Sequence, residues 1–388
     1  MIDYKSILSK KSQKIKPSGI RRFFDIANEM DDVISLGVGE PDFITPYSIR
    51  EAGIFSLEKG KTRYTSNSGL DELKAEICNY LDRKFGLRYC PKTETLVTVG
   101  GSEAIDACIR VLVDEGDEIL IPEPCFVAYS PITMLSGGVA VPIVTRAEDN
   151  FRLTAKALKE KITPKTKLLI FPFPNNPTGA VMRRQHLEEI AEVLRDTNII
   201  VLSDEIYAEL TYGEPHVSIA SIDGMKERTV IISGFSKAYA MTGWRLGYTC
   251  APAPIIQQML KIHQFAIMCA PTTSQYAAIE ALKNCDEDIR NMASDYDSRR
   301  RLIVDGFNKL GLKCFNPEGA FYIFPSIEST GLTSEKFCEK LLFEQRVAVI
   351  PGTAFGDCGE GYIRVSYSYS INHILTALKR IENFLKTL

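Results

Sequence analysis

The sequence predicts an α/β protein whose mostly parallel sheet is followed by a smaller α+β unit. Between about residues 92 and 252, short β-branched runs alternate with helical patterns, which is typical of a parallel sheet covered by helices. After residue 285 the pattern changes to a long charged helix with two strand-like stretches. The chain has 388 residues, 45% of them hydrophobic and 24% charged, so it is long enough to bury a large core.

Seven strands are predicted in the first unit, because seven short apolar or β-branched runs stand between helical patterns. They cover residues 96–99, 118–121, 139–144, 167–171, 199–202, 230–233 and 246–250. The clearest helix spans residues 102–113, where Ile105, Ile109 and Leu112 recur at helical spacing. Ser102 is its expected N-cap.

The second unit is predicted to begin near residue 286. Its expected elements are helices at residues 286–310, 334–344 and 371–388 and strands at residues 320–325 and 362–366. A cleft between two such units is the usual place for a small-molecule site. We therefore expect the site at the junction of the two units.

The charge balance excludes several classes of partner. Forty-six Lys and Arg against 49 Asp and Glu give a net charge of -3, which favours neither nucleic acid nor an anionic membrane. No apolar run approaches the roughly 20 residues needed to cross a bilayer, and the first residues lack the apolar segment of a signal peptide. The ten cysteines form no Cys-x-x-Cys pair, so we expect reduced, mostly buried thiols and a cytoplasmic location.

The segment 233–248 carries the strongest chemical signal. Lys237 follows a predicted strand beside Ser236, and Arg245 comes eight residues later. A lysine desolvated at the edge of an apolar sheet has a lowered pKa and can act as a nucleophile or form a Schiff base. The hydroxyl and the guanidinium suit a phosphate group. Taken alone, Lys237 fits a solvated surface lysine in a loop better than a reactive amine.

Three shorter segments also follow predicted strands. Residues 100–103 read Gly-Gly-Ser-Glu and can bring backbone N–H groups to an anion at a helix N-terminus, although an ordinary turn has the same pattern. Asp204 can hold a protonated heteroaromatic nitrogen or can cap a helix. Asn176 lies in a turn that is ordinary by itself.

Other motifs fail on their spacing. Residues 60–62 end like a phosphate-binding loop but lack its upstream glycine, and residues 37–39 lack the third glycine of a dinucleotide site. The four histidines show no metal-ligand spacing, so no metal is expected. Residues 234–238 nearly spell the nucleophile turn of an α/β-hydrolase, which Asp286 and His373 could complete. A hydrolase, however, leaves the other segments without a role.

Taken together and in this order, these segments resemble the class I/II aminotransferases of fold type I, which bind pyridoxal 5'-phosphate (PLP). The resemblance runs essentially end to end and covers residues 34–43, 64–70, 101–102, 176–179, 204–207, 236–237, 244–245, 319–322 and 364–366. Segments 18–21, 124–129 and 319–324 look closest to the aspartate/aromatic subgroup. The resemblance implies a large domain with a seven-stranded sheet at residues 46–285. The small domain would combine residues 1–45 with residues 286–388.

The resemblance also implies roles around the cofactor ring. Lys237 would hold PLP as a Schiff base and shuttle the proton of the substrate α-carbon. Asp204 would keep the ring nitrogen protonated, and Phe126 would stack on the ring. Tyr207 and Asn176 would donate hydrogen bonds to the phenolic oxygen of the ring.

Further residues are implied for the phosphate, the substrate and the subunit contact. The phosphate would bind the N–H groups of Gly101 and Ser102, together with Ser236 and Arg245. The substrate α-carboxylate would bind Arg364, helped by Asn176 and by the backbone at Gly39. Tyr64 would reach the phosphate of the neighbouring subunit, which implies a homodimer. Ile20 and Tyr322 are further substrate-facing candidates.

The sequence departs from the family at two positions. Many relatives carry Ser or Thr where this chain has Gly234, and aspartate-specific relatives often carry Trp where it has Phe126. No arginine can be assigned to a second substrate carboxylate. We therefore expect aromatic, aspartate or broad donor specificity, leaning to aromatic or broad, with 2-oxoglutarate as an acceptor.

Two alternatives share the fold. A C–S β-lyase would use the same cofactor for a different outcome, because fold and cofactor alone do not determine the reaction. A PLP-sensing transcriptional regulator would need a DNA-binding module, and the residues that precede the large domain show no helix-turn-helix pattern.

Overall fold

The structure is a computed structural model that describes residues 2–17, 19, 26 and 29–388. The strands are β1 (Ile34–Ser35), β2 (Thr95–Thr98), β3 (Glu118–Glu123), β4 (Val139–Val144), β5 (Thr166–Phe171), β6 (Ile200–Asp204), β7 (Thr229–Gly234), β8 (Gly247–Cys250), β9 (Tyr322–Ile323), β10 (Val347–Ala348), β11 (Ile350–Pro351) and β12 (Ile363–Ser366).

The α-helices are α1 (Tyr4–Ile7), α2 (Lys10–Lys14), α3 (Tyr47–Glu58), α4 (Asp71–Phe85), α5 (Gly100–Leu112), α6 (Tyr129–Ser136), α7 (Ala155–Lys161), α8 (Arg184–Leu194), α9 (Ala253–Ala266), α10 (Thr272–Asn284), α11 (Asp286–Lys309), α12 (Ser334–Gln345) and α13 (Ile371–Leu385). Short 3₁₀ helices lie at Ala147–Asp149, Ile219–Ser221, Lys226–Arg228, Glu328–Thr330, Gly352–Phe355 and Asp357–Gly359.

The central sheet has seven strands in the order β2-β8-β7-β6-β5-β3-β4. Strands β3 to β7 run parallel to one another, and β8 runs antiparallel to both β7 and β2. All seven predicted strands are confirmed, with ends that differ by one or two residues. The inner strands β6 and β7 are buried along almost their whole length, as expected for parallel strands inside a sheet that is covered on both faces.

The carboxyl ends of three neighbouring parallel strands position the site. Strands β5, β6 and β7 end at Phe171, Asp204 and Gly234. The segments that carry Asn176, Asp204 and Lys237 therefore leave the sheet at the same edge, where open α/β sheets bind ligands.

The prediction that Ser102 caps helix α5 is wrong. The helix begins two residues earlier, at Gly100, and Val99 is its N-cap residue. Gly100 has a φ of +75°, which lets the chain turn directly from β2 into the helix. Glu103 accepts the N–H of Val99 at 2.5 Å, and Ser102 lies within the helix.

The second unit carries two small sheets. Strands β11, β12 and β9 form an antiparallel sheet, and β1 pairs in parallel with β10. The three predicted helices are confirmed as α11, α12 and α13, but the predicted strand at residues 320–325 shortens to Tyr322–Ile323. Ala320 has a φ of +57°, which interrupts the extended backbone. Ile20 and most of segment 18–21 lie outside the described residues.

Candidate active site

A cavity of about 500 Å³ lies at the carboxyl edge of β5, β6 and β7. It brings together eleven of the twelve predicted site residues, namely Gly39, Gly101, Ser102, Phe126, Asn176, Asp204, Tyr207, Ser236, Lys237, Arg245 and Arg364. These residues come from many separate segments of the chain, so their convergence is a property of the fold. The exception is Tyr64, which is 79% exposed and does not line the cavity.

Lys237 follows β7 and extends its amine into the cavity. Its Nζ donates a hydrogen bond to the carbonyl oxygen of Gly39 at 2.6 Å. Burial lowers the pKa of Lys237 to about 8, and the positive charge of Arg364 acts in the same direction against the opposite effect of Glu40. An amine with this pKa is partly neutral near pH 7 and is therefore a competent nucleophile.

Asp204 is a buried carboxylate at the end of β6. It accepts the hydroxyl of Tyr129 at 2.7 Å on Oδ2 and the N–H of Ile206 at 3.2 Å on Oδ1. Burial raises the pKa of Asp204, while these two hydrogen bonds oppose the rise. A cation in the cavity would stabilise the ionised form. The residues after Asp204 form turns, so the expected alternative of a helix cap is wrong.

Arg364 lies on β12, in the second unit, and reaches back into the cavity. Its Nη1 donates to Oδ1 of Asn176 at 3.0 Å, and its Nη2 donates to the carbonyl oxygen of Gly37 at 2.5 Å. The guanidinium lies between two aromatic rings, 4.6 Å from the centroid of Tyr322 and 4.7 Å from that of Phe355. The side chain is therefore held in one orientation.

The charge of Arg364 has no anionic partner among the residues that the structure describes. The residue is 3% exposed, its hydrogen-bond acceptors are neutral oxygens, and its Nε has no acceptor. Arg299 shows the usual arrangement, since this buried arginine pairs with both Asp42 and Asp295. A buried guanidinium without a carboxylate has the charge and the free donor to bind an anionic ligand.

The model of the family described as aminotransferase class I and II matches residues 31–381. The chain belongs to the class I and II aminotransferase family. It is 54% identical over 380 residues to YugH of Bacillus subtilis (strain 168), which is named as an aminotransferase, and the match covers 98% of each chain. It is 44% identical to the aspartate aminotransferase of Pyrococcus abyssi, again over 98% of both chains.

The solved structure of an aromatic aminotransferase from Pyrococcus horikoshii OT3 has the same fold. Its TM-score is 0.91 at 46% identity, and the match covers 94% of this chain and 99% of that one. The chain is therefore a PLP-dependent transaminase of fold type I that acts on amino acids. The predicted fold and class of reaction are both confirmed.

The phosphate end of the cavity fits this cofactor. Gly101 and Ser102 lie in the first turn of α5, where backbone N–H groups are free to bind an anion. Ser236 and Arg245 lie beside them, and the Nη1 of Arg245 donates to the carbonyl oxygen of Thr242 at 2.9 Å. One cation, one hydroxyl and a helix N-terminus suit a phosphate dianion.

The packing of three glycines explains the departure at Gly234. A Cβ at Gly247 would lie 2.6 Å from the carbonyl carbon of Gly100, and a Cβ at Gly234 would lie 2.9 Å from the Cα of Gly247. The three backbones thus pack against one another below the phosphate end. A side chain at position 234 would displace the backbone, whereas Ser236, two residues later, places a hydroxyl-bearing side chain in the cavity lining.

The ring end of the cavity fits as well. Asp204 provides a carboxylate for a protonated ring nitrogen, and Phe126 lines the cavity with its ring edge-to-face against Tyr129 at 5.7 Å. Tyr207 contributes a hydroxyl 2.8 Å from that of Tyr322. A carboxylate that can accept from a protonated ring nitrogen, an aromatic ring that can stack and a phenol that can donate suit a pyridine ring with a phenolic oxygen.

Two supporting pairs were missed by the sequence analysis. Tyr129, which donates to Asp204, lies 75 residues away from it, so no local pattern connects them. Glu103 binds the Nδ1 of the fully buried His263 at 2.5 Å and the N–H of Val99, which holds the first turn of α5. Glu103 is the fourth residue of the helix, and an acidic residue in the first turn was a usable signal of the helix start.

The hydrolase alternative does not assemble. Asp286 forms ion pairs with Arg83 and Lys84 at the start of α11. His373 lies at the start of α13, where its N–H donates to the hydroxyl of Ser370. Neither residue lines the cavity that contains Lys237.

Proposed function

We propose that this aminotransferase passes the amino group of an aromatic amino acid, of aspartate or of a broad range of donors to a 2-oxo acid such as 2-oxoglutarate. The observation that carries the proposal is the buried cation of Arg364 without a described anionic partner, in the same cavity as the amine of Lys237. Arg364 receives the α-carboxylate of the substrate, and Lys237 forms the covalent attachment to the cofactor. Both groups are needed for α-amino acids in general.

The roles proposed for the chain follow from this geometry. PLP, when bound, supplies an electron sink for the negative charge that develops at the substrate α-carbon. Lys237 holds the cofactor and then moves the proton at that carbon, because its pKa of about 8 permits both acceptance and release. Asp204 keeps the ring nitrogen cationic. Arg364 and Asn176 orient the carboxylate and thereby the bond that is broken.

The remaining proposed contacts bind the cofactor without reacting. Phe126 stacks on its ring, and Tyr207 and Asn176 donate to its phenolic oxygen. The phosphate binds the N–H groups of Gly101 and Ser102, the hydroxyl of Ser236 and the guanidinium of Arg245. The backbone at Gly39 adjoins the substrate, since its carbonyl oxygen already accepts from Lys237.

The lining of the cavity supports aromatic or broad donor specificity over a strict dicarboxylate preference. Among the described lining residues the arginines are Arg245, at the phosphate end, and Arg364. Ile105, Phe126 and Tyr322 add apolar surface. Relatives of both kinds agree with this breadth, since they are named aspartate and aromatic aminotransferases.

We propose a homodimer in which Tyr64 completes the neighbouring site. Tyr64 is 79% exposed and Phe265 is 88% exposed, and surface aromatic residues of this kind are enriched at interfaces. Mixing Lys237→Ala with Tyr64→Ala subunits tests it. If sites are shared, mixed dimers contain one intact site, so activity returns above that of either parent. Mixtures no more active than the average of the parents would show that each site is formed by one chain.

The predicted domain division and location remain proposals. We propose a large domain at residues 46–285 and a small domain of residues 1–45 with 286–388, which the pairing of β1 with β10 supports. All ten cysteines are free and seven are buried, which supports a reducing, cytoplasmic location. No helix among the described residues is long and apolar enough to cross a membrane.

A panel of amino donors with 2-oxoglutarate as acceptor tests the proposed function. The PLP-loaded protein should release the 2-oxo acid of aromatic donors, of aspartate or of several classes. Lys237→Ala should be inactive and should lack the visible absorption of bound cofactor. Transfer by Lys237→Ala would remove that lysine from the mechanism. Release of pyruvate from cystathionine without transfer from any donor would instead establish the C–S β-lyase.

A further inference from the structure

Tyr322 contacts both a residue proposed to bind the substrate and a residue proposed to bind the cofactor. It is 1% exposed, lies on β9, and contacts both the substrate-binding Arg364 and the cofactor-binding Tyr207. Its ring and its hydroxyl make these contacts separately. A Cβ at Gly39 would overlap the Tyr322 hydroxyl, so the glycine leaves the space that this side chain occupies.

The hydroxyl of Tyr322 forms a hydrogen-bonded pair with that of Tyr207 at 2.8 Å. Either oxygen can donate. The Tyr322 hydroxyl has no other hydrogen-bond partner among the described residues. If Tyr322 donates, the proton of Tyr207 is free to point into the cavity. Tyr207 then becomes a stronger donor, because successive hydrogen bonds polarise one another.

The ring of Tyr322 supports the guanidinium of Arg364. The Cζ of Arg364 lies 4.6 Å from the ring centroid of Tyr322 and 4.7 Å from the centroid of a second ring, that of Phe355. A cation between two aromatic rings is stabilised by both faces when it is shielded from water. This contact needs the ring and not the hydroxyl.

We propose that Tyr322 is a positioning residue for transamination: its hydroxyl donates to Tyr207 and strengthens the hydrogen bond to the phenolic oxygen of the cofactor, while its ring fixes Arg364 for the substrate carboxylate. The inference rests on the proposed function. It assigns one side chain two separable tasks, one at the cofactor and one at the substrate.

Two substitutions in the purified, PLP-loaded protein separate the task of the hydroxyl from the task of the ring. Tyr322→Phe removes the hydroxyl and keeps the ring, whereas Tyr322→Leu removes both. Two quantities are measured. The first is the pH at which the visible absorption band of the bound cofactor is half changed, called the midpoint below, which reports the hydrogen bond to the phenolic oxygen. The second is the KM for an amino donor, which reports binding of the substrate carboxylate. Tyr322→Phe should raise the midpoint by about half a pH unit to one unit and leave KM within about twofold. Tyr322→Leu should raise the midpoint similarly and raise KM about tenfold.

Two control variants match these changes. Tyr367→Phe also removes a buried hydroxyl, one that donates to the carbonyl oxygen of Ala320 at 3.0 Å, and should leave the midpoint in place. Phe355→Leu removes the other ring and should raise KM without moving the midpoint. An equal midpoint shift in Tyr367→Phe would show a general effect of lost packing and would overturn the inference.

The sign of the shift decides the role of the hydroxyl. An unchanged midpoint in Tyr322→Phe overturns the proposed donation. A lowered midpoint also overturns it, because Tyr322 would then be accepting the proton of Tyr207 and competing with the cofactor. An unchanged KM in Tyr322→Leu overturns the role of the ring. A wild-type protein without any visible band would overturn the proposed function itself, and the two failures are therefore distinguishable.

Discussion

Replacing Arg364 with glutamine is the sharpest test of how this chain binds its substrate. The substitution keeps a polar side chain of similar reach but removes the positive charge and the two-pronged fork. In the structure the guanidinium is held by Asn176 and Gly37 at 3.0 and 2.5 Å, so its position is set before a substrate arrives. Pre-ordering of this kind avoids an entropy cost at the moment of binding.

The expected magnitude follows from the bonds that are lost. Two charge-assisted hydrogen bonds to a carboxylate contribute about 1.5–3 kcal/mol each, so their loss costs about 3–6 kcal/mol. This corresponds to a fall in kcat/KM of roughly 10² to 10⁴. The loss should reach every amino donor about equally, because all of them share the α-carboxylate. The affinity for PLP should change less than about threefold, since Arg364 contacts no group assigned to the cofactor except Asn176.

Steady-state kinetics over the donor panel and a titration of apoprotein with PLP measure the two effects. Arg184→Gln is the matched control, because this arginine is 59% exposed at the start of α8 and should leave both quantities unchanged. Loss of PLP affinity as large as the loss in kcat/KM would place Arg364 at the cofactor. A donor-specific effect would place it at the substrate side chain. Either result would refute the assignment.

Three further predictions rest on single groups. Burial lowers the pKa of Lys237 to about 8. The rate at which the apoprotein captures PLP, measured by borohydride trapping, should therefore rise with pH with a midpoint near 8. A midpoint near 10.5 would contradict the buried position of the amine. Tyr129→Phe removes a hydrogen bond that lowers the pKa of Asp204. The acid limb of the pH profile of kcat should therefore move to higher pH, with KM little changed. An acid limb at the same pH would show that the Tyr129 hydroxyl does not keep Asp204 ionised. Burial and the charge of Asp357 raise the pKa of Glu123 from 4.5 to about 7, so its ionisation opposes folding and stability is lost as pH rises through 7. After allowance for partial exposure, Glu123→Gln should therefore increase the free energy of unfolding in urea by about 1 kcal/mol at pH 8 and by little at pH 4; equal effects at both pH values would contradict the ionisation.

Local patterns in the sequence determined most of the secondary structure. The seven strands of the central sheet were predicted because short apolar or β-branched runs of four to six residues alternate with helical patterns along the chain. The start of α5 was misplaced because Glu103, and not Ser102, satisfies the first backbone N–H group. The strand at residues 320–325 was too long because a positive φ at Ala320 cannot be read from an alanine.

The sequence by itself determined the types of residue in the site, since Lys237, Asp204, Asn176 and Arg364 each stand at a strand or in a motif that the family resemblance identifies. Only the tertiary structure decided their environment. Arg364 meets Asn176 across 188 residues and Gly37 across 327, and the lack of a described carboxylate beside it is visible only in three dimensions. The physical reason is that pKa values and ion pairing depend on burial and on neighbours brought together by packing, whereas hydrophobic periodicity is a property of adjacent residues.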